Sequence, residues 1–480
     1  MTVLRYCHNK FVLALACLIA IFITLTRLNK WSLHSSYIGV PPLPLDHGSN
    51  HTNLSVSVGT TKFVDLTITP PKTSHDSSCN HFPNTSDVLV VVKTGATESY
   101  SKIPTQLITI LRCLPDFLIF SDLEQDVASH HVRDSLDSVL DQAKEKNYDF
   151  DLYSRQKACV IDQHSCNLKS KQNLKFEGWR LDKYKNVHIA EKTYRLRPNY
   201  DWYLFIDADT YVLWQNLVQW LQILGDPSEK HYIGSIALLN DFAFAHGGSG
   251  YILSQATMRD LAIDHPGIAN QYDMKATKLC CGDYMLSVAL NETLSIGVKQ
   301  AWPTINGEKP YTIPYGPREW CHPDFEQRFY QSRGVPRPIM RFKDIYHEFV
   351  APKLAARRDD WDNLSEDVVY LDPNHSGRYP KWQQNRAKKP YQQIRAAVVE
   401  LDAHKSFEHC RKLCDSNHDC FQFSYRDGVC AYSTSIRLGK PAPKMINEEE
   451  KWVSGWNIER IRTWVEEQGQ CREPVWPKVQ

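Results

Sequence analysis

Two carboxylates one residue apart, Asp207 and Asp209, stand at the end of the short apolar run Trp202-Tyr203-Leu204-Phe205-Ile206. A run this short, aromatic and aliphatic throughout, predicts a strand buried on both faces. After it, Leu217, Trp220, Leu221 and Leu224 recur at helical spacing. Strand, acidic turn and helix is the order in which open α/β sheets present ligands at strand carboxyl ends. Two hard oxygen donors suit a divalent cation, which can in turn hold a diphosphate. Two other readings fit the bare pair. One is a helix cap with a turn residue. The other is an aspartyl-phosphate phosphatase, which wants Thr or Val where Tyr211 stands.

Other residues with chemical potential follow the same grammar. Val88 to Val92 reads as a first parallel strand ending at Thr94, and Leu107 to Leu114 as a helix. Phe117 to Phe120 reads as a second buried strand closed by Asp122. Between Leu123 and Leu174 the chain is mostly polar, and reads as a surface excursion closed by a local Cys159–Cys166 disulfide. A helix from Trp179 to Thr193 carries Lys183 and Lys192, and Tyr232 to Ser235 is a further short strand. In His246-Gly247-Gly248-Ser249-Gly250 three glycines in four residues let backbone approach a ligand closely. Asp283 opens a helix, where the dipole favours a carboxylate and a simple cap is the alternative role. His322 and His347 lie toward the end of this stretch.

The stretch from Asp201 to Val212 resembles the donor-site motif of family 31 glycosyltransferases, the group holding fringe and the core 1 β-1,3-galactosyltransferases. The resemblance runs from about residue 87 to 352 and includes the motif order: a Val-Lys-Thr strand end, Ser121-Asp122, Lys192-Thr193, then Gly247 to Ser254. Cys281-Gly282-Asp283 stands where the family carries Glu-Asp. Ala208 departs from the three consecutive Asp residues common there, and Gly282 from the Glu. The resemblance implies a GT-A type α/β fold, Rossmann-like, binding a nucleotide-sugar. It implies Mn²⁺ or another divalent cation held by Asp209, with Asp207 assisting and His347 adding a ligand. It places Thr94, Asp122, Lys183, Lys192, Asp207, Gly247 and Gly248 around the donor, and makes Asp283 the general base. The implied reaction is inverting transfer of a hexose, galactose by resemblance, from a UDP-sugar to a glycan or glycoprotein, forming a β-1,3 bond. The rival is a membrane-anchored carbohydrate-binding or chaperone-like protein that keeps the fold without turnover.

A second resemblance covers about residues 400 to 440. Cys410-x3-Cys414-x5-Cys420-x-Gln422-Phe423-Ser424-Tyr425-x4-Cys430 is similar to a small, disulfide-rich α+β PAN/Apple module, which binds protein or carbohydrate. It implies pairing of Cys410 with Cys430 and of Cys414 with Cys420. A zinc site is the alternative for these cysteines, though no His pair follows them at finger spacing.

Composition bounds the class. The chain has 480 residues, room for two or three domains, and 42% hydrophobic with 11% aromatic residues supports a packed core. Lys and Arg total 56 against 55 Asp and Glu, so no basic excess points to nucleic acid. Of 14 cysteines, 12 follow residue 30, an even number that suits lumenal disulfides. Sequons at Asn50, Asn53, Asn84, Asn291, Asn363 and Asn374 agree with a secretory route. Phe11 to Thr26 is an uncharged run of 16 residues behind Arg5 and Lys10. At about 24 Å of helix it suits the thinner early secretory membranes. The expected organisation is a cytoplasmic tail (1–10), a transmembrane signal anchor (11–26), a stem (27–85) and a transferase domain (86–352). A linker or wrap (353–395), the module (396–440) and a C-terminal extension (441–480) follow. The expected setting is single-pass type II in the Golgi or endoplasmic reticulum membrane, with the catalytic domain lumenal.

Overall fold

Val88–Lys93 forms the first strand, β1, and its five aliphatic residues are all buried. The computed structural model describes residues 79–159, 173–316, 320, 339–372, 379–388, 398–445, 447, 450–469, 471 and 476–479. The chain divides into two compact units, Met1–Lys72 and Thr73–Gln480, and every described residue belongs to the second. The expected tail, anchor and most of the stem, the sequons at Asn50, Asn53 and Asn374, Cys166 and His322 lie outside the described residues. Among the described residues no helix is long and apolar enough to cross a membrane.

After β1 come helix α1 (Ser99–Ile108) and strands β2 (Phe117–Ser121), β3 (Gln125–Val127) and β4 (His130–Asp134). Helices α2 (Leu174–Asp182) and α3 (Lys185–Leu196) lead into β5 (Trp202–Asp207), which α4 (Trp214–Leu221) follows. Strands β6 (Tyr232–Gly234), β7 (Ile236–Leu239), β8 (Phe242–Ala245) and β9 (Tyr251–Ser254) precede α5 (Gly282–Leu294) and β10 (Lys299–Gln300). Eight of these strands make a mixed, mostly parallel sheet in the order β10-β6-β9-β5-β1-β2-β4-β3, while β7 and β8 form a separate hairpin. Successive strand residues point to opposite faces. Leu89, Val91, Tyr203 and Phe205 therefore pack on one side with α3 and α5, through residues such as Ile189 and Leu286. Val90, Val92, Leu204 and Ile206 pack on the other with α1 and α4, through Ile103 and Trp220.

The strands at Val88, Phe117, Trp202 and Tyr232 are where the sequence puts them. The first helix is not: it begins at Ser99, and Leu111 and Leu114 are buried in turns after it. The Gly95 carbonyl accepts from the Glu98 and Ser99 N–H groups, which starts the helix directly after the strand turn. The Leu123–Leu174 excursion is also more than surface. It supplies β3 and β4, with Val127 and Val132 in the core. These strands are too short to carry a readable alternation.

The C-terminal region builds a second sheet. Strands β11 (Arg358–Asp359), β12 (Trp361–Asp362), β13 (Val368–Leu371), β14 (Gln422–Arg426), β15 (Val429–Ser433), β16 (Lys440–Pro441) and β17 (Val453–Trp456) occur in that order. Five of them pair as β11-β17-β14-β15-β13, all antiparallel. Helix α6 (Phe407–Ser416) covers one face, burying Phe407, Cys410, Leu413 and Cys414, and the Ser406 side chain caps its start. Cys410–Cys430 and Cys414–Cys420 are both bonded. The sheet takes β11 and β13 from the expected linker and β17 from the expected extension. Their contribution is pairing with β14 and β15, which a local motif does not reveal. Helix α7 (Ile458–Glu467) follows β17.

One sequon has a structural role instead. Asn363 is fully buried, and its Nδ2 donates to the Phe423 carbonyl at 3.0 Å and the Gly455 carbonyl at 3.3 Å. A glycan on that nitrogen is incompatible with this packing. Glycopeptide mapping is expected to find Asn363 unmodified, whatever the state of the exposed Asn84 and Asn291. Asn363→Ala should lower unfolding stability by about 1–3 kcal/mol, because buried carbonyls lose their donor. A glycan at Asn363 on folded protein, or an unchanged unfolding midpoint in the variant, would contradict this role.

Candidate functional site

Parallel pairing of β1 with β5 sets Lys93 opposite Asp207 at the carboxyl ends of both strands. The ammonium of Lys93 lies 2.9 Å from Asp182 Oδ2 and 3.2 Å from Asp207 Oδ1. Asp182 ends α2, and Lys185 opens α3, 3.9 Å from Asp182 and 3.5 Å from Asp122. The result is an alternating chain of charges, Asp122–Lys185–Asp182–Lys93–Asp207, under the strand ends. Burial pulls the Lys93 ammonium down, but Asp182, Asp207 and Asp283 together hold its pKa well above the ordinary lysine value. Burial pushes the Asp182 carboxyl up, yet Lys93 and Lys185 bring it below the usual carboxylate range. Asp207 goes the other way: burial raises it, Lys93 opposes, and the charges of Asp182 and Asp209 add to the rise.

Asp209 is set differently. Its side chain is 62% exposed, against 30% for Asp207, and Lys102 of α1 approaches it at 2.9 Å. Burial would raise this carboxyl, but the Lys102 hydrogen bond and the charges of Lys102 and Lys309 bring it below its ordinary value. Ala208 between them is buried in the apolar core, its N–H donating to the Lys93 carbonyl and its carbonyl accepting from Gln106. A third Asp at this position would put an unpaired charge among apolar side chains.

The glycine loop joins the acidic turn to α5. Thr210 Oγ1 donates to the Gly248 carbonyl at 2.9 Å, and Gly247 N–H donates to Asp283 Oδ2 at 2.8 Å. A Cβ on Gly247 would stand 3.3 Å from the Asp283 carboxylate oxygen, so the glycine permits this approach. Gly282 is tighter still. A Cβ there would overlap the Asp182 carbonyl oxygen and lie 2.6 Å from Asn186 Oδ1. The Glu common in the resembled family has no room at this contact. Just before it, Cys280 and Cys281 are bonded to each other.

Thr94 and Asp122 also lie at this end of the sheet. Thr94 is buried, and its carbonyl accepts from Lys185 at 3.1 Å. Asp122 is fully buried, with Oδ1 accepting from the Ala96 N–H at 2.5 Å and Oδ2 facing Lys185 without a hydrogen bond. Lys183 and Lys192 are committed elsewhere. Lys183 pairs with Asp149 at 2.7 Å, and Lys192 with Asp137 and the Asp134 carbonyl. His347 is exposed and packs its ring against Trp320 and Tyr346. Among the described residues no three His, Cys, Asp or Glu side chains gather as metal ligands, so His347 does not join Asp207 and Asp209. The lysines that do face the acidic turn are Lys93, Lys102 and Lys309. Nothing in their spacing marks them, because three separate segments deliver them.

For a divalent cation the donors fit a site shared with a substrate. Magnesium-like cations are commonly held by one or two carboxylates plus substrate phosphates. Asp209 offers an accessible carboxylate, and Asp207 a second whose one oxygen is taken by Lys93. No protein-family model matches the chain, and no curated protein matches it in sequence.

The charge chain has a measurable signature. Asp182, held low, contributes stability present above the unfolded carboxyl value of about 4 and lost as pH falls through its lower folded value. Lys93, held high, contributes stability present below about 10.4 and lost as pH rises through its folded value. Lys93→Met leaves both carboxylates without their shared cation and should cost about 3–5 kcal/mol at pH 7. The deficit should shrink between pH 7 and pH 4, as the stranded carboxylates take up protons on folding. Denaturant unfolding across that range tests this; a deficit below about 1 kcal/mol would remove the chain's structural role.

Proposed function

We propose that the protein is a metal-dependent inverting glycosyltransferase, moving a hexose from a UDP-sugar to a hydroxyl of a glycan or glycoprotein. The observation that carries this reading is the joining of three carboxylates at one end of the sheet. Asp207 and Asp209 close β5, and the Gly247–Gly248 loop ties them to Asp283. In this reading the domain is of GT-A type and the C-terminal sheet with α6 is a PAN/Apple-like module. Mn²⁺ or a similar cation bound at Asp209, with Asp207 beside it, would neutralise charge on the departing diphosphate. Lys102 and Lys309 stand next to Asp209 and add positive charge for the same phosphates. Thr94 and Asp122, both buried, belong to the turns that by the resemblance would border the nucleotide. The Gly247 N–H holds the Asp283 carboxylate in one orientation. Asp283 takes the proton of the acceptor hydroxyl as that oxygen attacks the anomeric carbon. The new glycosidic bond forms as the bond to diphosphate breaks on the opposite face, which inverts the configuration. Galactose and a β-1,3 linkage come from the motif resemblance alone, and the type II Golgi or endoplasmic reticulum setting from the uncharged run Phe11 to Thr26, the cysteines and the sequons.

A second reading, a carbohydrate-binding or chaperone-like protein without turnover, draws on one observation. Lys93 and Lys102 already engage the two carboxylates that a cation would need. Paired variants separate the readings. Asp209→Asn should abolish Mn²⁺-dependent UDP binding and transfer together. Asp283→Asn should leave that binding near normal while transfer falls about 10²–10⁴-fold. Calorimetry with UDP and Mn²⁺, beside a transfer assay over a panel of UDP-sugars, reads both. Metal-independent UDP binding that survives Asp209→Asn would exclude the cation site. Full transfer by Asp283→Asn would make that residue a helix cap. UDP-sugar binding without transfer or hydrolysis under any condition would favour the second reading.

A further inference from the structure

Directly after β8 the chain holds one exposed imidazole in a fixed place. The His246 N–H donates to the Ser235 carbonyl at 2.9 Å, and the His246 carbonyl accepts from the Ser249 N–H at 3.2 Å. In the ring, Nδ1 lies 2.7 Å from the hydroxyl of Ser249, which is buried. A Cβ on Gly248 would stand 3.0 Å from the ring carbon Cε1, and one on Gly307 would stand 3.1 Å from Nδ1. The ring thus lies in a slot that two glycines leave open and one serine closes. Among the described residues Nε2 has no hydrogen-bond partner. Ordering an exposed side chain costs rotamer entropy. Groups that bind a substrate are held in just this way, by packing and by a hydrogen bond from behind.

The slot stands between the two halves of the strand-end site. Gly247, the next residue, donates to Asp283, and the Gly248 carbonyl accepts from Thr210 of the acidic turn. Across the ring, Gly307 leads within two residues to Lys309, whose charge acts on Asp209. An in-line displacement needs the transferred sugar between the base and the departing diphosphate, hence between Asp283 and the Asp207–Asp209 turn. A group fixed on the loop that spans these two faces that sugar. The phosphates have Lys102 and Lys309 beside Asp209, whereas the sugar hydroxyls need hydrogen-bonding partners. Imidazole Nε2 donates or accepts according to the tautomer that the Nδ1 contact fixes, and a hydroxyl answers either role.

We propose, resting on the transferase reading, that His246 hydrogen-bonds a ring hydroxyl of the donor hexose and so sets which UDP-hexose is used. A site built to hydrogen-bond a substrate hydroxyl rejects the analogue that lacks it. His246→Ala tests this with Mn²⁺ present, through calorimetry with UDP and kcat/KM for UDP-galactose, UDP-glucose and their N-acetylhexosamine counterparts. Because the side chain is exposed, the variant should unfold at the wild-type midpoint. Its UDP affinity should match the wild type. For the best donor kcat/KM should fall about tenfold, the worth of one hydrogen bond, and the lead over the other donors should shrink by the same factor. An unchanged spread of donors would overturn the inference. So would an equal loss for every donor, and weaker UDP binding beside it would put the imidazole on the diphosphate. Wild-type protein that binds no UDP and uses no UDP-sugar would instead remove the transferase reading, and this inference with it.

Discussion

Charges removed from water need partners, and the strand ends of this protein are arranged around that requirement. Lys93 is the hinge of the arrangement. It sits at the end of β1, bridges Asp182 and Asp207, and feels Asp283 as well. Because β1 and β5 are adjacent and parallel, their last residues are level, so a lysine on one must meet the aspartate on the other. Lys185 extends the chain inward to Asp122, beneath the Thr94 turn. Removing one member of such a chain strands its neighbours, whereas exchanging the whole chain for apolar groups need not destabilise. The five charges lie under the strand ends and leave Asp209 as the accessible carboxylate beside them.

Close backbone approach is the second constraint. Gly282 stands where a side chain would collide with the end of α2 and with Asn186 of α3, and a side chain at Gly247 would press tightly against Asp283. The same contact that excludes a glutamate at position 282 brings Asp283 beside the glycine loop. Asp283 is thereby tied to β5 through Gly247, Gly248 and Thr210, although about seventy residues separate it from the acidic turn. The Cys280–Cys281 bond closes the backbone immediately before this helix.

The C-terminal sheet is packed onto the rest through a shared apolar core. Tyr315, Phe342 and Tyr346 from the middle of the chain meet Phe421, Ile436, Trp456 and Ile461 from the C-terminal region. Trp476 and Val479 return to the core under the central sheet. Asn216 on α4 exchanges hydrogen bonds with Met340, donating at 2.8 Å and accepting at 3.1 Å. The disulfide-stapled part is therefore continuous with the α/β part and leaves one sheet face open as a cleft.

Much of this architecture was legible in the residues. Uniform apolar runs such as Val88–Val92 and Trp202–Ile206 can be satisfied only by strands covered on both sides, so their existence and burial followed from type alone. Asp207 and Asp209 ending such a run, and glycines where backbone must pass closely, placed the acidic turn and the loop. What local pattern could not carry was partnership between distant segments. Lys93, Lys102 and Lys309 face the carboxylates because the sheet register, α1 and the segment after β10 deliver them, while Lys183 and Lys192, equally basic, are claimed by Asp149 and Asp137. His347 went to an aromatic cluster, and Asn363 to a buried hydrogen-bonding role that its sequon disguised. Residue type sets what a side chain can do at short range; only the tertiary structure decides which opposite charge, carbonyl or ring it meets, because those contacts join residues tens to hundreds of positions apart.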